Sequence, residues 1–337
     1  MNRKRVTDMK DKTKLLKFVE ESQDVWIQDA ILKADTHLEN SNRPLVAVSG
    51  GSDSDIMLDV LHRLDDEKKI VYVWCDTGLE YEATKRHLKD LEEMYNIQIV
   101  PLKAKVPIPL AVRKYGVPFL SKQVSEYIMR LQKHNFQWED ESFDVLYAKY
   151  PDCKGALRWW CNDFGANSKF NIAYNTYLKE FMIQNPPDFP ISSKCCYFAK
   201  KSPVNSYVAD NDFDLVCTGV RKAEGGIRSS AYGSCFTPAS LDSVAQYRPL
   251  FWFTKESKEC YKKNHNITYS DCYEVWGLDR TGCAACPFGK YFEFELECME
   301  KYEPKMFKAV WKIFGKSYEY TRKYREFQQK MREMKKE

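Results

Sequence analysis

The stretch "PLVAVSGGSDSDIMLDV", Pro44 to Val60, is a short apolar run that ends in two glycines followed by serines and aspartates. The apolar run has the length of a buried strand, and the residues from Asp53 to Leu64 carry apolar side chains at helical spacing. A glycine-rich turn between a strand and a helix lets backbone N–H groups approach an anion, and the helix N-terminus adds a partial positive charge. The stretch therefore predicts an anion-binding turn at the carboxyl end of a strand.

The flanking segments predict the fold class. Residues 13–40 have the spacing of one or two amphipathic helices, and "KKIVYVWCDTG", "IQIVPL" and "DFDLVCTGVRKAEGG" each contain a buried strand. The segment "EYEATKRHLKDLEEMYN" between the first two of these strands is helical in pattern. This alternation predicts an α/β fold, an open, mostly parallel, twisted sheet with helices on both faces.

The C-terminal half has a different pattern, helical and rich in cysteine. "GVPFLSKQVSEYIMRLQKHNF" predicts a turn and a helix, residues 155–184 are mostly helical in pattern, and a charged helical tail begins near Glu293. We expect amphipathic helices packed on the core in residues 1–43 and a nucleotide-binding α/β domain in residues 44–250. Residues 251–337 are expected to form cluster-binding loops and the charged tail.

The amino-acid composition limits the classes of protein to which the chain could belong. The 337 residues are 44% hydrophobic and 14% aromatic, which is typical of a globular protein. Apolar runs such as "IVYVW" are strand-sized, and "MNRKRVTDMKDK" has no apolar core of a secretory leader. We therefore expect a cytoplasmic protein without a membrane partner. The formal net charge of +4 is too close to neutral to indicate nucleic acid by itself.

Twelve cysteines are many for a reducing compartment, where clustered cysteines indicate a metal site or catalysis rather than disulfides. Cys283 and Cys286 form a Cys-x-x-Cys pair, and Cys195 and Cys196 are adjacent. Adjacent thiolates crowd a single zinc ion but can bind different irons of a cubane, which favours an iron–sulfur cluster over zinc. A second possible ligand set replaces Cys195 with Cys235. The remaining cysteines are expected to be small apolar core residues: Cys75, Cys153, Cys161, Cys217, Cys260, Cys272 and Cys298.

The glycine turn predicts a metal–phosphate site. Its hydroxyl groups can donate to phosphate oxygens, and Asp53 fits such a site if it serves a bound Mg²⁺, which prefers carboxylate and phosphate oxygens. The alternative is a capped helix after a tight turn, with Asp53 and Ser54 as capping residues. The turn consists of Ser49, Gly50, Gly51, Ser52, Asp53 and Ser54.

The turn resembles the pyrophosphatase loop, Ser-Gly-Gly-x-Asp-Ser, of enzymes that split ATP into AMP and pyrophosphate. These enzymes have an adenine nucleotide alpha-hydrolase-like fold and are related to the phosphoadenosine phosphosulfate reductases. Four later segments resemble the family in the expected order: "WCDTGLEYEAT", "KCCYFAKKSPV", "TGVRKAEGGIR" and "TGCAACPFG".

The resemblance implies a role for residues in each segment. It places Asp76, Thr77, Gly78 and Gly219 beside the nucleotide, and Arg221 and Arg228 where they grip phosphate or sulfate groups. It also implies a [4Fe-4S] cluster on Cys195, Cys196, Cys283 and Cys286.

Two features depart from the sulfonucleotide reductases. Those enzymes usually lose the Asp-Ser of the loop, but Asp53 and Ser54 are both present here. They also carry a nucleophilic cysteine in a C-terminal Glu-Cys-Gly-Leu-His segment, whereas "SYEYTRKYREFQQKMREMKKE" contains no cysteine. An ATP-cleaving loop joined to a cluster is similar to the sulfurtransferases of DNA phosphorothioation and to the cluster-dependent tRNA thiolases.

That similarity implies adenylation of an acceptor by ATP with Mg²⁺, followed by sulfur transfer. Asp53, Ser54, Arg221 and Arg228 would be catalytic, with Lys122 a further cation, and sulfur would be carried on the cluster or on a cysteine such as Cys235. The implied partners are an adenine nucleotide, a sulfur donor such as a cysteine desulfurase or a reductant, and a nucleic-acid acceptor; a homo-oligomer is also expected.

Two other functions stay open at this point. The protein could be a sulfonucleotide reductase that releases sulfite, or a non-catalytic nucleotide-binding or redox-sensing regulator. In the last case Trp159 and Trp160 would stack on nucleic-acid bases, but core packing is the favoured prediction for these two side chains.

Overall fold

The computed structural model of the protein describes residues 12–225 and 232–335. Its chain divides into two compact units. Unit 1 comprises Met1–Trp74, Ala83–Pro101 and Val208–Arg280, and unit 2 comprises Cys75–Glu82, Leu102–Tyr207 and Thr281–Glu337. Across the described ranges, no helix has both the length and the apolar composition needed to cross a membrane.

Six strands form one sheet, in the spatial order β3-β2-β1-β4-β6-β5. β1 is parallel to β2 and β4, β4 is parallel to β6, and β5 is antiparallel to β6. The mostly parallel sheet confirms the predicted fold class. The strands are β1 (Pro44–Val48), β2 (Val71–Asp76), β3 (Ile99–Lys103), β4 (Leu215–Thr218), β5 (Phe236–Thr237) and β6 (Ala245–Tyr247).

The helices include the predicted N-terminal pair, the helix after the glycine turn, and the long helical tail. In chain order they are α1 (Thr13–Glu20), α2 (Val25–Glu39), α3 (Ser52–Leu64), α4 (Glu82–Tyr95), α5 (Ile108–Tyr115), α6 (Lys122–Lys133), α7 (Phe143–Lys149), α8 (Lys154–Trp160), α9 (Leu178–Gln184), α10 (Lys194–Cys196), α11 (Ser202–Ala209), α12 (Lys255–Asn264), α13 (Asp271–Glu274), α14 (Phe292–Tyr302) and α15 (Pro304–Met334).

The core of unit 1 surrounds the central strand β1. Leu45, Val46 and Val48 are all buried, so apolar material covers both faces of the sheet at this strand. α2 packs on α3, and both helices contribute their apolar stripes to the same core. The Asp24 carboxylate starts α2 by accepting N–H hydrogen bonds in its first turn. Burial on both faces explains why β1 is a continuous apolar run in the sequence.

The core of unit 2 is helical and aromatic. Trp159 and Trp160 are fully buried, which confirms the expectation that they pack in the core. The Trp160 indole N–H donates to the Glu139 carbonyl oxygen over 2.8 Å, so its polar atom is satisfied. α15 contributes Tyr320 and Tyr324, whose hydroxyl groups donate to backbone carbonyl oxygens at 2.7 and 2.8 Å. The tail helix is therefore an integral part of this core.

The prediction that residues 155–184 are mostly helical is wrong for the middle of that segment. α8 and α9 occupy its two ends, and residues 161–177 between them are irregular apart from a short turn at Ile172–Tyr174. Asn162, Asn167 and Tyr177 adopt positive φ there, a conformation that interrupts an α-helix. The aromatic residues of the segment have helical spacing in the sequence. They pack into the core, however, and do not lie along one face of a helix.

Replacing Gly116 with alanine is expected to destabilise unit 2 by about 3 kcal/mol or more. Gly116 has φ +106°, and a Cβ there would lie 2.3 Å from the Pro190 carbonyl oxygen. The matched control is Gly155→Ala within α8, where a Cβ would meet nothing closer than 3.8 Å. That control should stabilise the helix by about 0.5–1 kcal/mol. Urea unfolding of both variants measures the difference, and equal unfolding free energies would contradict the assignment.

Candidate functional site

The glycine turn lies at the topological switch point of the sheet. β1 and β4 are parallel neighbours, and the chain continues from β1 to β2 on its other side. Loops that follow two such strands diverge and leave a crevice at the carboxyl ends of the strands. The turn at residues 49–54 follows β1, and the loop from Gly219 to Arg221 follows β4. The topology therefore places these two loops at the same edge of the sheet.

Glycine is required at two positions where backbones approach closely. Gly50 has φ +63°, and a Cβ there would lie 2.8 Å from the Thr84 Cγ2 atom. A Cβ on Gly219 would lie 3.2 Å from the carbonyl carbon and oxygen of Asp53. The β4 loop thus packs directly on the backbone of the turn.

Hydrogen bonds within the turn fix its shape. The Ser49 N–H donates to Ser54 Oγ over 2.9 Å, and the Ser54 N–H donates to the Gly51 carbonyl oxygen over 2.8 Å. The N–H groups of Ser52 and Asp53 precede the first hydrogen-bonded turn of α3 and so lack an acceptor within the helix. The arrangement leaves backbone donors at a helix N-terminus, which is the usual anion-binding geometry.

Asp53 lies between two cations. Its Oδ1 atom is 2.9 Å from Arg221 Nε and 2.9 Å from Lys258 Nζ, and Lys258 also donates to Ser52 Oγ. All three charged side chains are largely buried, at 12–20% exposure. Within residues 12–225 and 232–335, neither Asp53 Oδ1 nor Arg221 Nε has a well-aligned hydrogen bond. Two cations gathered around one carboxylate are well placed to accept another anion.

Lys258 is a candidate functional residue that the sequence did not predict. It lies in the first turn of α12, which Thr254 caps by accepting the Ser257 N–H over 3.1 Å. No motif surrounds it, and only the structure brings this helix to the glycine turn. The sole signal in the sequence is a lysine near the start of a capped helix.

A buried ion pair is hydrogen-bonded to the glycine turn. Asp55 and His87 are 1% and 7% exposed, and His87 Nε2 is 2.8 Å from Asp55 Oδ2. Burial raises the pKa of Asp55. Burial acts to lower the pKa of His87, but the hydrogen bond and charge of Asp55 outweigh it, so the pKa of His87 is raised. Ser54 Oγ donates to Asp55 Oδ1 over 3.4 Å, which connects the pair to the turn.

The pair predicts a pH dependence of stability. A histidine with a raised pKa in the folded state stabilises that state below its unfolded pKa of about 6.5 and loses this contribution as pH rises through the folded pKa. The raised pKa of Asp55 acts in the same direction. We expect the melting temperature to fall as pH rises from about 6 to 8. His87→Gln should flatten this slope, and an unchanged slope in differential scanning fluorimetry would contradict it.

The cysteine site lies in unit 2. Cys195 and Cys196 are in α10, which continues directly into a π-helical turn at Tyr197–Lys201. A hydrogen bond with Cys196, burial, and interactions with Cys286 and Cys283 all raise the pKa of the Cys195 thiol. Burial, followed by interactions with Cys283 and Cys196, raises the pKa of Cys286. The four predicted thiols are therefore near enough to one another in unit 2 to interact electrostatically.

The turn that carries Cys283 and Cys286 is held through its two middle residues. The Ala284 N–H donates to the Leu79 carbonyl oxygen over 2.6 Å, and the Ala285 N–H donates to the Tyr81 hydroxyl oxygen over 3.0 Å. The Tyr318 hydroxyl group of α15 donates to the Ala285 carbonyl oxygen over 2.6 Å. Thr77 Oγ1 lies 3.6 Å from Cys283 Sγ. The positions of both thiols are thus set by the segment after β2 and by the tail helix.

Lys200 supplies a positive charge beside the thiols. Its pKa is raised, first by interaction with Cys283, against burial, and then by Cys196 and Cys286. The lysine belongs to the "KCCYFAK" stretch, so a signal for it was present in the sequence. An ammonium group at this position favours the thiolate forms that bind metals.

Cys75 and Glu80 also lie near the thiols. Cys75 Sγ donates to the Lys200 carbonyl oxygen over 3.8 Å, and burial raises its pKa to about 11. Glu80 is 4% exposed, and its Oε1 accepts the Thr77 N–H over 3.1 Å. Its Oε2 has no hydrogen-bond partner among the described residues. Cys75, which the sequence predicted to be a small apolar core residue, is half-buried and is a fifth thiol near Lys200 and Cys283 in unit 2.

The chemistry of this site fits an iron–sulfur cluster. Four cysteine thiols, with Cys195 and Cys283 buried and Cys196 and Cys286 half-buried, match the Cys₄ ligand set of such a cluster. In the described part of the chain, no three histidine, cysteine or acidic side chains surround one point as ligands of a single metal ion would. A four-iron cluster places each thiolate on a different iron, so its ligands need not meet at one point.

The other predicted residues are placed as follows. Arg228 lies outside the described residues. Asp76 and Gly78 belong to unit 2, where Asp76 Oδ1 accepts the Gly78 N–H over 3.1 Å. Cys235, the alternative ligand, lies in unit 1, half-buried just before β5. Lys122 is the exposed first residue of α6. Among the cysteines expected in the core, those that are buried are Cys153, Cys217, Cys272 and Cys298.

Comparison with known proteins finds a similar sequence and solved structures of lower similarity. An uncharacterized protein of Methanocaldococcus jannaschii is 31% identical over 176 residues, which are 51% of this chain and 34% of that protein. The chain thus spans about a third of the length of this relative. A phosphoadenylyl-sulfate reductase from Candida auris, in a phosphate complex, has a TM-score of 0.42 at 11% identity over 80% of this chain and 93% of that chain. A U34-tRNA thiolase from Methanococcus maripaludis with its [4Fe-4S] cluster has a TM-score of 0.39 at 13% identity over 91% of this chain and 81% of that chain.

The family assignment comes from a different comparison. The family model described as phosphoadenosine phosphosulfate reductase domain matches residues 43–147 and 167–288. The match includes the glycine turn, the β4 loop and all four thiols of the cysteine site. Because it extends over more than half of the chain, the protein belongs to the phosphoadenosine phosphosulfate reductase domain family.

Proposed function

We propose that the protein cleaves ATP between its α- and β-phosphates, transfers AMP to an oxygen of an acceptor, and then replaces AMP with sulfur. One observation carries this proposal: Asp53, in a complete Ser-Gly-Gly-x-Asp-Ser turn, holds Arg221 and Lys258 at 2.9 Å each. A sulfonucleotide reductase has no need of this acidic residue because it does not release pyrophosphate.

The residues of the turn would bind and orient the triphosphate. Backbone N–H groups and the hydroxyl groups of Ser49 and Ser52 would donate to phosphate oxygens. A triphosphate offers Arg221 and Lys258 several anionic oxygens, which frees the Asp53 carboxylate for Mg²⁺. Bound Mg²⁺ would neutralise charge on the phosphates and on the leaving pyrophosphate. Catalysis then rests on positioning and charge compensation.

The reaction balances without a redox step. An acceptor oxygen attacks the α-phosphorus, the bond to the β-phosphate oxygen breaks, and pyrophosphate leaves. A hydrosulfide equivalent from a donor protein then attacks the acceptor carbon, so that a C–S bond forms while the C–O bond to AMP breaks. Arg221 and Lys258 would stabilise negative charge in the first step.

The cysteine site would take part in the second step. Cys195, Cys196, Cys283 and Cys286 would hold a [4Fe-4S] cluster, and Lys200 would offset part of the negative charge of four thiolates. When bound, the cluster would provide a place for sulfide beside these side chains. Burial of Cys195 and Cys283 would limit access of water to this side of the site.

A product assay tests this function against the second candidate, a sulfonucleotide reductase, which the family match favours. Anaerobically purified protein is incubated with ATP, and separately with adenosine or phosphoadenosine phosphosulfate and reduced thioredoxin. Pyrophosphate from ATP without sulfite from the sulfonucleotides supports the proposal. Sulfite production would establish the reductase instead. If neither product forms, a nucleotide-binding regulator is the remaining function.

A further inference from the structure

The Lys258 ammonium group has a third neighbour besides Asp53 and Ser52, the aromatic ring of Tyr269. The Lys258 Nζ atom lies over this ring, 5.5 Å from its centre. An ammonium group within about 6 Å of an aromatic face is attracted to it, and more strongly where water is excluded. Tyr269 is 7% exposed and the Lys258 side chain is 12% exposed, so little water reaches the contact. Lys258, Tyr269 and the glycine turn all belong to unit 1.

The segment after α12 brings Tyr269 back against the helix that carries Lys258. α12 ends at Asn264, and the Tyr269 N–H then donates to Glu274 Oε1 over 3.1 Å. Lys262 follows Lys258 by four residues and lies over the same ring, 4.4 Å from its centre. Residues four positions apart share one face of a helix. The ring therefore contacts the face of α12 from which Lys258 reaches the turn.

Glu274, the acidic residue beside this ring, already has a cation. Lys262 Nζ donates to Glu274 Oε1 over 2.8 Å, and the same oxygen accepts the Tyr269 N–H. The two lysines on the ring thus have different counterions, Glu274 for Lys262 and Asp53 for Lys258. A carboxylate that is already paired competes poorly for a second ammonium group. Lys258 is therefore directed to the turn.

Lys258 needs support of this kind when a triphosphate binds. In the function proposed above, Asp53 turns to Mg²⁺, so Lys258 loses its counterion. The lysine side chain is long and flexible, and holding it in one position costs rotamer entropy. Tyr269 packs in the core of unit 1, so its ring stays in place whether or not a ligand is bound. The ring limits the positions open to the ammonium group and offsets part of the entropic cost.

We propose that Tyr269 is a positioning residue for the triphosphate, whose ring holds the Lys258 ammonium group at the glycine turn once Asp53 has turned to Mg²⁺. This role rests on the function proposed above. The ring carries the role, because the Tyr269 hydroxyl oxygen is buried and has no hydrogen-bond partner among the described residues. Phenylalanine in place of tyrosine therefore keeps the acting group.

The test measures binding of ATP with Mg²⁺ by isothermal titration calorimetry, using the full chain purified anaerobically. Tyr269→Leu removes the ring and should weaken ATP binding between about fivefold and thirtyfold. Tyr269→Phe keeps the ring and should retain the affinity that the leucine variant loses. The melting temperature of Tyr269→Phe should be equal or higher, because burying a hydroxyl group without a partner costs stability.

Two further variants separate positioning from a general effect on folding. Tyr72→Leu is the matched control, since Tyr72 is a core residue of unit 1 that is 4% exposed and interacts with Asp65 beyond the C-terminal end of α3. It should lower the melting temperature as Tyr269→Leu does, but leave ATP binding unchanged. In a Lys258→Ala background, Tyr269→Leu should cause no further loss of affinity, because the residue on which it acts is absent.

The outcomes distinguish this role from the enzymatic function. Weaker ATP binding in Tyr269→Phe, or an equal loss from Tyr269→Leu with and without Lys258, would overturn the positioning role. Pyrophosphate release from ATP is measured in parallel. If no variant releases it while Tyr269→Leu weakens ATP binding only when Lys258 is present, the enzymatic function fails and the positioning role stands. If the unaltered protein does not bind ATP, both are wrong.

Discussion

Asp53→Asn is expected to lower the rate of pyrophosphate release from ATP by at least about a hundredfold. The substitution keeps the shape of the side chain and removes the charge that positions Arg221 and Lys258, each 2.9 Å from Asp53 Oδ1. It also removes the carboxylate offered to Mg²⁺. Lys258→Ala should act in the same direction, by about tenfold or more. The measurement is single-turnover release of pyrophosphate under anaerobic conditions.

Two controls separate this effect from misfolding. Asp66→Asn removes a carboxylate of unit 1 that is 44% exposed and pairs with Lys14 at 3.5 Å, so activity should be unchanged. The iron content of the Asp53 variant should equal that of the unaltered protein, because the cysteine site belongs to unit 2. Full activity in Asp53→Asn would show that the turn does not cleave ATP.

Cys286→Ser and Cys195→Ser are each expected to abolish stable iron binding. The four thiols influence one another, as the raised pKa values of Cys195 and Cys286 indicate, and removing one leaves the others without a complete ligand set. The unaltered protein should contain about four irons and four acid-labile sulfides per chain, and these variants far fewer. Iron and sulfide analysis with visible absorption spectra after anaerobic purification provides the measurement.

The controls for this prediction are other cysteines. Cys161→Ser changes a half-buried thiol of unit 2 whose Sγ donates to the Glu141 carbonyl oxygen over 3.8 Å, and it should retain full iron content. Cys235→Ser should also retain it, because the favoured ligand set does not include Cys235. Loss of iron in Cys235→Ser together with full iron in Cys195→Ser would establish the alternative ligand set instead.

The sequence was most informative where one local pattern serves one element. β1 is buried on both faces and therefore appears as an uninterrupted apolar run, and the helix after the glycine turn repeats its apolar side chains every three to four residues. Gly50 and Gly219 were also predicted from their motifs, and the structure explains both by close backbone contacts. The tail helix was predicted because its pattern is long and strongly charged.

Residues that act across long sequence distances were not predictable in the same way. Lys258 reaches Asp53 from a helix that begins about 200 positions later, and nothing in its neighbourhood marks it. Cys75 lies in a strand pattern that indicates core packing, and only the structure brings it to Lys200. The strands β5 and β6 contain two and three residues, which is too short for any periodic signal.

The ion pairs around Asp53 have a consequence for selectivity among nucleotides. With no anion bound, Arg221 and Lys258 already have a counterion, so a ligand must displace the carboxylate to engage them. ATP carries enough charge to compete for both cations, whereas AMP, with a single phosphate, competes poorly. We expect the turn to select among nucleotides by the number of their negative charges. Once the polyphosphate is cleaved, Asp53 would pair with both cations again. The carboxylate would then assist release of the product nucleotide and return the turn to its ligand-free arrangement.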